Sequence, residues 1–106
     1  MDELSIDVLH RVGRALADPT RCRMLLCLLE RPHYPTELAE HLGVSKASAS
    51  NHLACLRGCG LVTATREGRR QRYGLVDDRL GHALHDLLAL APSIADDACA
   101  DERLVS

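Results

Sequence analysis

The stretch TELAEHLGVSKASASNHLACLRG, residues 36–58, sets a glycine and a two-residue hinge between two helix-forming runs. No other part of the chain limits its fold so closely. Glu37, Ala39 and Glu40 are good helix formers, and Thr36 is placed to cap them. Gly43 ends that helix, because glycine enters the left-handed conformation that terminates helices without a steric penalty. Val44 follows, and Ser45 is placed as the N-cap of a second helix running to about Arg57, where Gly58 and Gly60 stop it. Ala49, Leu53 and Leu56 recur at spacings of four and three, so they form its buried stripe. Helix, glycine turn, helix is the helix-turn-helix pattern.

The flanking sequence completes a small, mainly helical domain. Leu4, Val8, Leu9, Val12 and Leu16 repeat with helical period over residues 4–17. Asp18-Pro19 breaks the chain and restarts it, with Asp18 as N-cap and Pro19 in the first turn. The next helix, TRCRMLLCLLE, is apolar on most sides and is expected to be central. Pro32 and Pro35 bound a short loop. After the helix-turn-helix, Leu61–Arg66 and Arg70–Val76 lean towards strand, with Glu67-Gly68-Arg69 as the turn of a β-hairpin. Asp77 starts a last helix, with Leu80, Ala83, Leu84, Leu87 and Leu88 on one face, and Pro92 ends it. The expected fold is mainly α with a β-hairpin wing, a winged helix-turn-helix in the order ααααββα. It occupies residues 1–91, followed by a flexible acidic tail over 92–106. The 106 residues include no Phe or Trp and two Tyr, so the core must be aliphatic.

Charge is segregated along the chain. Lys46, Arg57, Arg66, Arg69, Arg70 and Arg72 stand against Glu67 alone in residues 46–73, a net charge of +5. Residues 77–106 carry −5 and residues 1–45 carry −2. A basic middle in an acidic chain is a local footprint for a polyanion. Ser45, Lys46, Ala47, Ser48, Ser50 and Asn51, small or polar at a helix N-terminus, suit hydrogen bonds to base edges and phosphates. Arg69, Arg70 and Arg72 on the wing reach flanking phosphates or the minor groove. Double-stranded DNA is therefore the expected partner. No apolar run is long enough to span a membrane, and the acidic N-terminus is no secretory signal. The reading is cytoplasmic, with reduced thiols. No nucleophilic triad or paired carboxylates suggest an enzyme, and no small organic substrate is implied.

Five cysteines then need a role. Cys22 and Cys27 lie in the most apolar helix and read as core. His33 and His41 read as surface residues. Cys55 and Cys59 are four apart on the second helix of the motif, about 5–6 Å from each other at Cβ on one helix face. They are either small packing residues or a thiol pair able to share an ion.

The segments ALADPTRCRMLLCLL, TELAEHLGVSKASASNHLACLRGCGLV and REGRRQRYGL resemble the ArsR/SmtB family of bacterial metal-responsive repressors, over about residues 8–90. The resemblance implies a homodimer joined by the first and last helices. It also implies operator binding without metal, and release on metal binding that derepresses efflux or detoxification genes. The third-helix cysteine site of some members is absent, since PHYPTELAEH has no cysteine. A last-helix Ni(II), Co(II) or Zn(II) site, shared across the dimer, would have to use Asp78, His82, His85 and Asp86, whose spacing differs from the usual pattern. CLRGC with a tail cysteine is similar to the CmtR-type cadmium/lead sensors of actinobacteria, which implies Cys55, Cys59 and Cys99 as ligands. Three thiolates favour soft ions such as Cd(II) or Pb(II). Zn(II) would want a fourth ligand, for which His52 is the available residue, and arsenite and Bi(III) also accept three thiolates. The rivals are a redox sensor with a Cys55–Cys59 disulfide, and a DNA-binding module that ignores metal.

Overall fold

A computed structural model of the chain describes residues 1–92. Its elements are α1 (Glu3–Leu16), α2 (Pro19–Glu30), α3 (Pro35–Leu42), α4 (Lys46–Gly58), β1 (Val62–Glu67), β2 (Arg70–Leu75) and α5 (Asp78–Leu88). The order matches the ααααββα expectation. The described residues fall into two compact units, Met1–Val76 and a second that begins at Asp77.

In the first unit the helices start where the sequence provides acceptors. Asp2 and Asp18 carboxylates accept from the Ser5 and Arg21 backbone N–H groups, at 2.8 and 2.9 Å, and Ser45 Oγ accepts from Ser48 N–H at 3.0 Å. The start of α3 differs from expectation. Tyr34, not Thr36, is its N-cap, with Pro35 as first residue, and Glu37 Oε1 accepts from the Tyr34 N–H at 2.9 Å. Pro35 fixes φ and has no N–H to satisfy, so the helix begins there, ahead of the hydroxyl residue.

Both helices of the motif end in the same hydrogen-bonded turn. At α3, Val44 N–H donates to Ala39 O at 3.0 Å and Gly43, at φ +67°, donates to Glu40 O. At α4, Leu61 N–H donates to Leu56 O and Gly60, at φ +81°, donates to Arg57 O, both at 3.0 Å. These paired bonds form the Schellman motif, which needs a left-handed residue just past the cap. Gly60 supplies it, whereas Gly58 lies inside the last turn of α4.

The core lies between α2, α3, α4 and the hairpin. Met24, Leu25, Leu38, Leu53 and Leu56 are its largest fully buried side chains, and Ala49 completes the stripe expected on α4. Cys22 and Cys27 are half-buried rather than core. The Cys22 thiol donates to Leu16 O at 3.2 Å. On α1, Ala15 is buried, whereas Leu4, Val8 and Leu9 are exposed.

The strands pair antiparallel from Val62↔Leu75 to Glu67↔Arg70. Gly68 at φ +63° opens a two-residue loop, which suits the twist of a tight hairpin. A feature the sequence did not reveal joins this hairpin to the preceding loop. His33 forms an isolated antiparallel bridge with Tyr73, through bonds of 2.9 and 2.8 Å. His33 is consequently buried, not on the surface, and its Nδ1 lies 2.8 Å from the Arg31 carbonyl.

In the second unit Asp77 caps α5, accepting from the Arg79 and Leu80 N–H groups. The helix ends at Leu88, four residues before the expected stop at Pro92. Leu87, Leu88 and Leu90 are exposed. Cys99, and the tail expected beyond Pro92, lie outside the described residues.

Candidate nucleic-acid interface and thiol pair

The first turns of α4 present the residues expected to read DNA. Ser45, Lys46, Ala47, Ser50 and Asn51 are exposed and Ser48 is half-buried. Ala47, Ser50, Asn51 and Ala54 follow the i, i+3, i+4, i+7 pattern, so they share the outward face opposite Ala49, Leu53 and Leu56. Ser45 is a cap and remains solvent-facing, so its two roles are compatible. The N-terminus of α4 adds unsatisfied N–H groups and the positive end of the helix dipole, both suited to phosphate.

The hairpin sets its charges apart from its apolar face. Val62, Ala64, Tyr73 and Leu75 lie on the face that is buried or half-buried, while Thr63, Thr65, Glu67, Arg70 and Arg72 share the other. Arg69 stands in the loop at the tip. Arg70 and Arg72 are not free charges. The Arg70 guanidinium sits 3.5 Å above the centre of the Tyr34 ring, and Arg72 pairs with Glu67 at 3.2 Å. The Tyr34 hydroxyl donates to Glu67 Oε1 at 2.5 Å, and this bond to a carboxylate holds the phenol above its usual range.

The thiol pair continues the stripe of α4 that begins at Asn51. Cys55 lies one turn beyond Asn51, and Cys59 one turn beyond Cys55. Cys55 is exposed and Cys59 is half-buried. Cys59 is the C-cap residue, but its N–H still donates to Cys55 O at 3.0 Å, so the i, i+4 relation holds to the end of the helix. Neither thiol is a core residue. Two adjacent reduced thiols suit a soft ion, and the negative end of the α4 dipole favours a cation there.

Within a single chain the other candidate ligands are not brought together. Among the described residues no three His, Cys, Asp or Glu side chains are grouped so as to hold a metal ion. That applies to Asp78, His82, His85 and Asp86 on α5, and to His52 with the cysteine pair. His52 instead lies 3.9 Å from Asp18. The Asp18 carboxyl is held below its usual range, first by the Arg21 N–H and then by charge from His52. His41 is exposed as expected. No helix among the described residues is long and apolar enough to cross a membrane.

Residues 18–64 match the family model for the bacterial regulatory proteins of the arsR family. The HTH-type transcriptional regulator CmtR of Mycobacterium tuberculosis is 51% identical over 105 residues, covering 98% of this chain and 89% of that protein. The chain belongs to the arsR family. Its members' shared element is the winged helix-turn-helix described above, so the family assignment and the geometry of α4 agree on a DNA-binding regulator. The NMR structure of the cadmium metal-sensor CmtR from M. tuberculosis superposes with a TM-score of 0.66 at 57% identity, covering 77% of this chain and 85% of that one. A homodimeric winged helix-turn-helix DNA-binding domain from Mycobacterium bovis, described as "a possible ArsR-family transcriptional regulator", gives a TM-score of 0.75 at 31% identity, covering 91% and 88%. The "Probable mercury resistance operon repressor" of Streptomyces lividans is 42% identical over 94 residues, 89% of this chain and 72% of that one.

Proposed function

We propose that this arsR-family chain is a metal-sensing repressor. As a homodimer without metal it binds operator DNA through the N-terminal turns of α4 and the wing. A soft thiophilic ion, Cd(II) or Pb(II), held by Cys55, Cys59 and Cys99, releases the DNA and derepresses efflux or detoxification genes. The observation that carries this reading is the placement of Cys55 and Cys59 outside the core, on the stripe of α4 that begins at Asn51. An ion tied to that stripe acts on the helix that reads DNA. A two-fold dimer must set its two such helices about one DNA turn apart, roughly 34 Å, so a small tilt of each changes the match to both half-sites. A coupling of about 1–3 kcal/mol lowers DNA affinity some 5- to 150-fold.

Relatives named for cadmium and for mercury support a soft ion, since both metals prefer thiolate to nitrogen or oxygen. The exposed apolar residues of α1 support the dimer, and the homodimeric relative agrees. The chain is read as a regulator, not a catalyst, acting in the cytoplasm, where its thiols stay reduced.

The test is an anaerobic ultraviolet titration of reduced protein with Cd(II) and with Pb(II), run beside Cys99→Ser. Thiolate-to-metal charge-transfer bands that saturate at one ion per protomer, weakened in the variant, are the expected result. Bands that never saturate, or that ignore the loss of Cys99, overturn the three-cysteine site. Operator release by peroxide that persists with a chelator would transfer the trigger to a Cys55–Cys59 disulfide.

A further inference from the structure

Tyr34 has no place in the DNA-binding or thiol assignments above, although two groups of the wing converge on it. Its hydroxyl donates to Glu67 at 2.5 Å and its ring carries the Arg70 guanidinium at 3.5 Å. Glu67 in turn pairs with Arg72 at 3.2 Å. The residue itself is anchored in the helix-turn-helix, as N-cap of α3, through its N–H to Glu37 at 2.9 Å. Glu37 is held from the other side by Arg31 at 3.3 Å. The next residue back, His33, is bonded to Tyr73 in the wing. A Cβ on Gly74, the neighbour of Tyr73, would sit 3.6 Å from Pro32, so the loop and β2 lie in close contact.

We propose that Tyr34 is a positioning residue for DNA binding, whose ring and hydroxyl aim the wing's Arg70 and Arg72 at the DNA backbone. The physical case is one of preorganisation. A two-stranded hairpin is marginally stable by itself, and a free arginine side chain loses rotamer entropy of about 2 kcal/mol when it is immobilised. The aromatic face restrains one guanidinium before DNA arrives. The carboxylate, fixed by the phenol, restrains the other. Glu67 lowers the wing's net charge, and in pairing with Arg72 it holds that guanidinium in one place.

This inference rests on the DNA-binding reading, and one readout is independent of it. In free protein, NMR signals of the Arg70 side chain should be shifted upfield by the Tyr34 ring, unchanged in Tyr34→Phe and abolished in Tyr34→Leu. Absence of that shift in wild type overturns the proposal without touching DNA binding. The second readout uses a 30-base-pair duplex enriched by the wild-type protein from a random-sequence pool. Removing one phosphate interaction lowers the slope of log affinity against log salt by about 0.9. Tyr34→Leu removes no charge, yet should lower that slope by roughly the amount of one phosphate, as Arg70→Ala does. Adding Tyr34→Leu to Arg70→Ala should then change the slope little, because both act on the same phosphate. Tyr34→Phe, which keeps the ring, should restore most of the slope.

A merely stabilising tyrosine would lower the melting temperature in both backgrounds and leave the slope alone. That result, or additive losses in the double variant, overturns the assignment. Failure of wild type to enrich any duplex overturns the DNA-binding reading instead, and the upfield shift still decides whether Tyr34 holds Arg70.

Discussion

Ser45 is placed so that one side chain can serve both the fold and the proposed interface. Its Oγ accepts from Ser48 N–H, and the residue stays exposed at the N-terminal end of α4. Ser45→Ala should cost about 1 kcal/mol in urea unfolding, as loss of an N-cap does. Ser45→Asp should keep that stability and still weaken DNA binding, because it sets a negative charge beside phosphate. The capping carboxylates predict a pH response. Asp2, Asp18, Glu37 and Asp77 are all held below their ordinary values, chiefly by the N–H groups or, for Asp77, by the Arg79 side chain they bind. Depressed carboxylates add stability that is present above the unfolded value and lost as pH falls through the folded one. Urea midpoints should therefore be flat near neutrality and fall below about pH 4, with a smaller fall in Asp18→Asn, which retains a capping oxygen but cannot titrate.

At the scale of the elements, α4 is bounded by two Schellman turns, at Gly43 and Gly60. The second bears on the proposed metal site, because Cys59 is the C-cap residue it follows. Gly60 has open space around its Cα but a φ of +81°, so Gly60→Ala meets backbone strain alone. It should cost roughly 1–2 kcal/mol and fray the turn that carries Cys59. A Cd(II) titration of that variant should then saturate at a higher metal concentration than wild type. Wild type should show slowed amide exchange over residues 57–61 when Cd(II) binds, as a clamp on Cys55 and Cys59 closes the last turn. Unchanged exchange there would separate metal binding from any action on α4. Leu53→Ala, in the fully buried stripe, marks the contrasting case. It should cost about 2–5 kcal/mol through reduced burial and a cavity, with no direct effect on the thiols.

At the scale of the whole molecule, most of the fold was legible because its signals are local. The five helices follow from period, caps and glycines, and the hairpin from Gly68 between two β-leaning runs. The outward face of α4 was legible for the same reason, since a helix fixes which residues share a face. Leu4, Val8 and Leu9 on α1 are exposed, and the proposed homodimer would cover them. Leu9→Glu should convert the proposed dimer to monomer in sedimentation velocity, and lower operator affinity by removing the second half-site. What sequence by itself determined is the order of the elements, the start and stop of α4, its buried stripe, and the adjacency of Cys55 and Cys59. Each depends on residues within a few positions of one another. Only the tertiary structure decided that His33 is buried by its bridge to Tyr73 and that Tyr34 holds Arg70 and Glu67. Tyr34 and Glu67 are 33 residues apart, and no helical or strand period relates residues at that separation. Their hydrogen bond exists because the free edge of β2 pairs with the loop before α3 at the His33–Tyr73 bridge, and that pairing is a property of the assembled fold.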